Sequence, residues 1–230
     1  MYTGGDSMDD LSVIIRVRNE ERYIGHCIQS ILDHLYKPEI IIIDNNSTDL
    51  SSMIWGQFKQ DPSLQSSDSR YAPIKAKGID KYTPGKALNM GVEMSTRGNI
   101  LIISSHCVIK SLELPRIFDN LNKYGALFGR QIPHYYGKRI KPTYIWSHFK
   151  EDSEVNPFSE LENRLFFHNA FSFFKRDILL DIPFNEELVG KEDRYWASEY
   201  VSKGNSYLYD HNSIVDHHYT ALGNTWKGIG

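Results

Sequence analysis

Apolar positions fall into short runs separated by polar turns. Leu11-Ser-Val-Ile-Ile-Arg-Val17 is brief and β-branched, which predicts a buried strand. Ile24, Ile28, Ile31, Leu32 and Leu35 then recur at helical spacing. Asn19 is the expected N-cap, Glu20 and Glu21 the first-turn acids, and Pro38 the stop. Glu39 to Asp44 is nearly all Ile, the pattern of a strand covered on both faces. Asn45-Asn-Ser-Thr-Asp49 reads as a polar turn able to cap another helix. Ser-rich Asp61 to Ser69 is expected to be a loop, and Tyr71 to Ile79 a third strand. Pro84 opens a helix carrying Ala87, Leu88, Met90, Gly91 and Met94, which Arg97-Gly-Asn99 stops. A strand over Ile100–Ile103, a helix over Leu112–Tyr124 and a strand over Ala126–Ile132 follow.

This strand–helix alternation over residues 11–132 predicts an α/β layer with a mostly parallel sheet and right-handed crossovers. Beyond Pro133 the regularity fades, and the stretch to Glu160 reads as irregular. Leu165–Phe174 is an aromatic strand candidate, Lys191–Lys203 a helix, and Ser206–Tyr219 one or two strands. No repeat and no Pro- or Gly-rich linker divides the chain, so a single domain over 11–230 after a flexible start at 1–10 is expected.

Composition narrows the function classes. With 230 residues, 40% hydrophobic and 24% charged, the chain can bury a core and is not of the disordered class. The net charge of −3 gives no general attraction for nucleic acid. The only two cysteines, Cys27 and Cys107, are too few for a disulfide framework or a Cys-based zinc site. No apolar run approaches the roughly 20 residues that span a bilayer, and the acidic MYTGGDSMDD start is no signal peptide. A cytoplasmic protein is expected, with peripheral contact to the inner face of a membrane left open.

In open parallel sheets, ligands bind beyond the carboxyl ends of the strands. The loops there are Arg16–Glu20, Asp44–Asp49 and Ser104–Cys107. Asp44 at a strand end can accept hydrogen bonds from a ribose or base. Turn formation and capping remain an equal reading of Asn45 to Asp49. Neither GxGxxG nor a P-loop occurs.

Five segments in order resemble one family. Ser12-Val-Ile-Ile-Arg-Val-Arg-Asn-Glu20 and Ile41-Ile-Ile-Asp-Asn-Asn-Ser-Thr-Asp49 are similar to the opening of family 2 glycosyltransferases. Pro84-Gly-Lys-Ala-Leu-Asn-Met-Gly91 resembles the family's helix with a basic residue three positions before Asn. Ile100-Leu-Ile-Ile-Ser-Ser-His106 stands where the family has its DxD strand end, and Glu192-Asp193 resembles its late ED motif. The resemblance covers about residues 11–219 and implies a GT-A (Rossmann-like) fold, a mostly parallel sheet flanked by helices. It implies a nucleotide-binding half over 11–132 and an acceptor and catalytic half over 133–230.

The implied activity is inverting transfer of a sugar from a nucleotide-sugar donor to a glycan, lipid-linked or protein acceptor, as in polysaccharide assembly. Asp193 would be the general base, with Glu192 beside it. Arg16, Arg18, Asn19, Glu20, Asp44, Asn46, Ser47, Lys86, Asn89, Ser104, Ser105 and His106 would face the donor. His168, Asn169 and Trp196 would meet the sugar or acceptor, and Trp146 and Tyr135 are further stacking candidates. A GT-A nucleotidyltransferase and a non-catalytic nucleotide- or glycan-binding module are the rival readings. The first usually carries a Gly-rich loop after strand one, and Arg16–Glu20 has no glycine.

The main departure is at DxD, which here reads Ser104-Ser105-His106 and offers no carboxylate. Magnesium prefers oxygen ligands, whereas manganese accepts imidazole more readily. Three readings stay open: a Mn²⁺ or Mg²⁺ site built from His106 with His217 or His218; metal-free phosphate binding by His106, the serines, Lys86, Arg16 or Arg18; or a structural histidine. Neighbours on a strand face opposite sides, so His217 and His218 cannot easily share a metal, and His217 is the better match. Arg16 replaces the usual Pro, Arg18 the usual Tyr, and Asn45-Asn46 the usual Asp-Gly.

Overall fold

The computed structural model describes residues 10–62 and 74–221. β1 (Leu11–Val17) pairs in parallel with β2 (Glu39–Asp44) on one side and β4 (Asn99–Ser104) on the other. β2 in turn pairs in parallel with β3 (Lys75–Gly78). Every residue of β2 is buried, as its Ile run requires. Beyond β4 the sheet continues through β11 (Phe171–Lys175), β6 (Ala126–Tyr135), β12 (Leu208–His218) and β5 (Cys107–Ser111). β11 runs antiparallel to β4 and β6, and β5 antiparallel to β12, while β12 and β6 are parallel. The sheet is therefore mixed, with its parallel half formed by the first part of the chain.

Among the described residues six helices flank it: α1 (Ile24–His34), α2 (Ser51–Gln60), α3 (Pro84–Met94), α4 (Leu114–Tyr124), α5 (Arg176–Asp181) and α6 (Glu192–Ser202). One face buries aliphatic side chains of α1 and α4 against β1 and β4. The other is aromatic, with Phe128, Phe166, Phe167, Phe174, Trp196, Tyr207 and Tyr209 in one cluster. α3 sits close to β1 because Gly91 has no side chain: a Cβ there would lie 2.5 Å from Ile14 Cγ2.

Several expectations need correction. Asn19 does not cap α1; its φ is +53°, the helix starts at Ile24, and no acid lies in its first turn. The acids make contacts outside the helix: Glu20 Oε1 meets His106 Nδ1 and accepts from Thr220 Oγ1, and Glu21 Oε2 accepts from Leu50 N. Leu165–Phe174 is not one strand. β10 (Arg164–Leu165) and β11 are separated by residues 166–170, which turn toward the open end of the sheet. The stretch after Pro133 is more ordered than its sequence suggests. β6 runs on to Tyr135, β7 (Lys138–Arg139) folds back on it, and a 3₁₀ turn spans Tyr144–His148. β8 (Glu154–Val155) pairs with β12, and β9 (Phe158–Ser159) with β10. β5 and α5 had no counterpart in the sequence pattern. Most of the expected loop at Asp61–Ser69 and the start of the expected strand at Tyr71 lie outside the described residues.

Candidate active site

A cleft of about 1040 Å³ opens at the carboxyl ends of β1 and β4. Arg16, Arg18 and Glu20 from β1 and its loop, with Ser104, Ser105 and His106 after β4, line one wall. His168, Asn169, Glu192, Asp193 and Arg194 line the opposite wall. Ten of the residues singled out by sequence thus meet in one cavity although the chain separates them by up to 177 positions (193 − 16).

The acidic pair opens α6. Lys191, at φ +60°, turns the chain so that Glu192 and Asp193 enter the first turn, where the helix dipole favours negative charge. Both are buried. Asp193 Oδ2 accepts from Asn169 N at 3.0 Å and Arg194 Nη1 at 2.8 Å, and Oδ1 from Arg194 N at 2.9 Å. Burial opposes ionisation, but Arg194 and the Asn169 amide outweigh it and hold the Asp193 carboxyl below its usual range. Glu192 goes the other way. Burial raises its carboxyl, and the nearby Asp193 charge adds to the rise, against the opposing pull of Arg16, whose Nη1 lies 3.1 Å from Glu192 Oε1.

Behind the other wall the His106 ring meets the fully buried imidazole of His217, which does not line the cleft. His106 Nε2 lies 3.0 Å from His217 Nε2. The outer nitrogens are engaged: His106 Nδ1 with Glu20 Oε1 at 3.1 Å, and His217 Nδ1 with Gln131 Oε1 at 2.8 Å. Burial, first of all, lowers the His217 pKa well below its ordinary value. Adjacent His218 faces away, stacked on Tyr23 at 4.7 Å between ring centroids, as strand alternation requires. Among the described residues no group of three or more His, Cys, Asp or Glu is gathered for a metal ion. The donor set is thus two imidazole nitrogens in hydrogen-bond contact with each other. It fits manganese and not magnesium, which needs oxygen ligands.

Other expected site residues do different work. The Asp44 carboxylate accepts from Ser47 N, Ser52 Oγ and Trp55 Nε1, so it braces the start of α2 and does not line the cleft; its neighbour Asn45 does. Ser47 Oγ accepts from Asn19 N, and Asn19 Oδ1 from Thr48 N, so these residues join two loops. Asn46 Nδ2 donates to Ile79 O. Lys86 Nζ donates to Asp80 O. Asn89 clamps the approach to α6, bonding Phe184 through both N and O. Trp196 is a correction: it is 2% exposed, donates to Ile182 O and stacks on Tyr200, so its indole belongs to the core. Trp146 is likewise buried, whereas Tyr135 is exposed on β6. Both cysteines are free and buried, and burial raises their thiols, which leaves no reactive thiolate.

Sequence reading overlooked Gln131, Arg194 and Tyr82. Arg194 stands next to the acidic pair and was open to inspection. Nothing in the local pattern distinguishes Gln131 from any other polar strand residue.

A family model described as glycosyl transferase family 2 matches residues 12–182, a span that ends before Glu192 and Asp193. A GalNAc(5)-diNAcBac-PP-undecaprenol β-1,3-glucosyltransferase of Campylobacter jejuni is 26% identical over 198 residues, which is 85% of this chain and 61% of that protein. Glycosyltransferase GlyG of Streptococcus pneumoniae is 26% identical over 50% of this chain and 36% of its own length. Among solved structures, S. aureus TarS 1-349 with UDP-GlcNAc superposes with a TM-score of 0.67 at 19% identity, covering 95% of this chain and 61% of that one. Mannosyltransferase PcManGT from Pyrobaculum calidifontis, with GDP-Man and Mn²⁺, gives 0.67 at 14% identity, covering 96% and 60%. The chain therefore spans about three-fifths of the Campylobacter relative and of these two structures, and shares their GT-A architecture. With the family match covering most of its length, the chain belongs to glycosyl transferase family 2.

Proposed function

We propose that the chain transfers a sugar from a nucleotide-sugar donor to an acceptor hydroxyl with inversion, and that Asp193 is the general base. The observation that carries this reading is the Asp193 carboxylate, kept ionised by Arg194 and Asn169 N on the cleft wall opposite Ser104–His106. A base must lie within hydrogen-bond reach of the attacking hydroxyl. The donor diphosphate is placed against the β1 and β4 loops, so that the anomeric carbon faces Asp193. The hydroxyl oxygen attacks that carbon as its proton passes to Asp193, and the nucleotide leaves from the opposite face. Asn169 Nδ2, buried and without a hydrogen-bond partner among the described residues, is a donor for a sugar hydroxyl. If a divalent ion is bound, His106 and His217 are the residues to hold it, and it supplies positive charge to the departing phosphate.

A second reading has Glu192 take the proton, favoured by its raised pKa. Donor hydrolysis and transfer measured on Asp193→Asn and Glu192→Gln separate the two: the true base abolishes turnover, and its neighbour only reduces it.

The acceptor class we favour is a lipid-linked glycan, as named for the Campylobacter relative. No helix among the described residues is long and apolar enough to cross a membrane. Transfer to an extracted lipid-linked oligosaccharide, compared with a free glycan, tests it.

A further inference from the structure

The Arg194 guanidinium serves two carboxylates. Nη1 donates to Asp193 Oδ2 at 2.8 Å, and Nε lies 3.4 Å from Glu162 Oε2. The guanidinium is buried and lies over the Phe166 ring, 4.7 Å from its centroid. Glu162 stands in the turn between β9 and β10 and lines the cleft with the acidic pair. Its place is fixed from behind. Glu162 N donates to Ser159 Oγ at 3.0 Å, and Ser159 is fully buried. Ser159 Oγ meets His148 Nε2 at 2.7 Å. His148 Nδ1 lies 3.0 Å from Ile145 O, an oxygen that can only accept, so Nδ1 carries the ring proton. Burial, first of all, lowers the His148 pKa and keeps the ring neutral. Nε2 therefore accepts from the Ser159 hydroxyl. His148 also stacks on Phe166, with 4.2 Å between centroids. The 3₁₀ turn, the β9–β10 turn and Arg194 are thus tied together around Phe166. Lys191 Nζ also approaches Glu162 Oε2, at 3.9 Å, but its side chain is 55% exposed, and so open a pair contributes little.

We propose that Glu162 is a positioning residue for the base: by engaging Arg194 Nε it limits Asp193 to one guanidinium hydrogen bond and keeps Asp193 Oδ1 open for the acceptor's proton. Oδ2 accepts from Asn169 N and Arg194 Nη1, whereas among the described residues Oδ1 accepts only from Arg194 N. An ionised carboxylate has about four lone-pair sites, so Oδ1 retains one for the incoming proton. An arginine fork released from Glu162 is free to pair with both oxygens of a single carboxylate. That bidentate pairing would cover Oδ1 and oppose its protonation. The inference rests on the reading of Asp193 as the base, and Glu162 acts through Arg194.

The test uses the full chain and nucleotide release from a panel of nucleotide sugars. Glu162→Met is expected to lower kcat by about tenfold or more with donor KM unchanged, because small misplacements at a catalytic group are costly. Glu162→Gln keeps an oxygen for Arg194 Nε and should recover most of that loss. In an Asp193→Asn background, Glu162→Met should alter the residual rate by less than about twofold, since the group it acts through is gone. The same fold loss in both backgrounds would show a merely structural role and overturn the proposal. Unchanged kcat in a Glu162→Met chain that melts like wild type would overturn it too, and so would a loss confined to KM, which would put Glu162 on the substrate. Full turnover by Asp193→Asn would fell the base reading and this inference together, whereas its loss there with kcat intact in Glu162→Met fells only the inference. The Arg194 Nε–H resonance, identified by its absence in Arg194→Lys, gives a readout independent of turnover. It should be protected from solvent exchange in wild type and Glu162→Gln, and shifted in Glu162→Met. A resonance that does not move would contradict the proposal, even for a chain that releases no nucleotide. Glu162→Ala takes the place of Glu162→Met if that variant does not fold.

Discussion

Arg16 Nη1 lies 3.1 Å from Glu192 Oε1, and their side chains are only 18% and 8% exposed. The ion pair joins the β1 strand end to the start of α6 across the cleft. Removing one partner of a buried pair leaves an uncompensated charge and costs about 3–5 kcal/mol. Arg16→Leu is expected to lower the melting temperature markedly and to push the Glu192 carboxyl up further. Arg16→Leu combined with Glu192→Leu should recover part of the loss. A double-mutant cycle by thermal unfolding checks this, and additive losses would contradict it.

Glu39 anchors the far end of β2. Its carboxylate accepts from Ser12 Oγ, Lys75 Nζ, Thr96 N and Thr96 Oγ1. Burial opposes its ionisation, but Lys75, Ser12 and Thr96 outweigh this and hold the carboxyl below its ordinary value. A depressed folded-state pKa contributes stability above the unfolded pKa, and that contribution is lost as pH falls through the folded one. Glu39→Gln should therefore destabilise by roughly 1–3 kcal/mol at neutral pH. The gap to wild type should narrow below about pH 4. Paired melts at the two pH values measure it.

Trp196 separates core packing from sugar stacking. Its indole is enclosed by Phe167, Phe174 and Tyr200 and bonded to Ile182 O. Trp196→Ala is expected to cost about 3–5 kcal/mol of stability. At temperatures where the variant is folded, the KM for acceptor should be unchanged. A selective rise in KM without loss of stability would place Trp196 at the acceptor.

Asn89 tests how the approach to the acidic pair is held. Its side chain bonds Phe184 N, Phe184 O and Glu186 Oε1, eight residues or fewer before Glu192. Asn89→Ala should lower kcat by about tenfold or more, because small misplacements of a catalytic group are costly. Asn89→Asp keeps the acceptor and loses both donor contacts, so it should not rescue. Steady-state kinetics on the two variants give the answer.

The parallel half of the sheet was legible because strands buried on both faces must be apolar throughout. The Ile run of β2 has little else it can be. The strand-end rule also located the cleft, since Arg16, Ser104 and His106 all follow such runs. Individual side chains were harder. Asp44 sits at a strand end as a ligand-binding acid would, yet its oxygens are taken by Ser47, Ser52 and Trp55, which only the packing of α2 brings close. Trp196 looks like a stacking residue until the aromatic core encloses it. Gln131 was invisible because its importance comes from two histidines, 37 and 86 positions away, that meet its amide only in the folded chain.

The proposed transfer depends on Asp193 acting on a bound nucleotide sugar. The most direct measurement is release of nucleotide from a panel of nucleotide sugars by wild type and Asp193→Asn, with binding of the same donors measured in parallel. The predicted result is turnover by wild type and its loss, by about a hundredfold or more, in Asp193→Asn with donor binding retained. Donor binding without turnover in wild type, or turnover that survives Asp193→Asn, would contradict it.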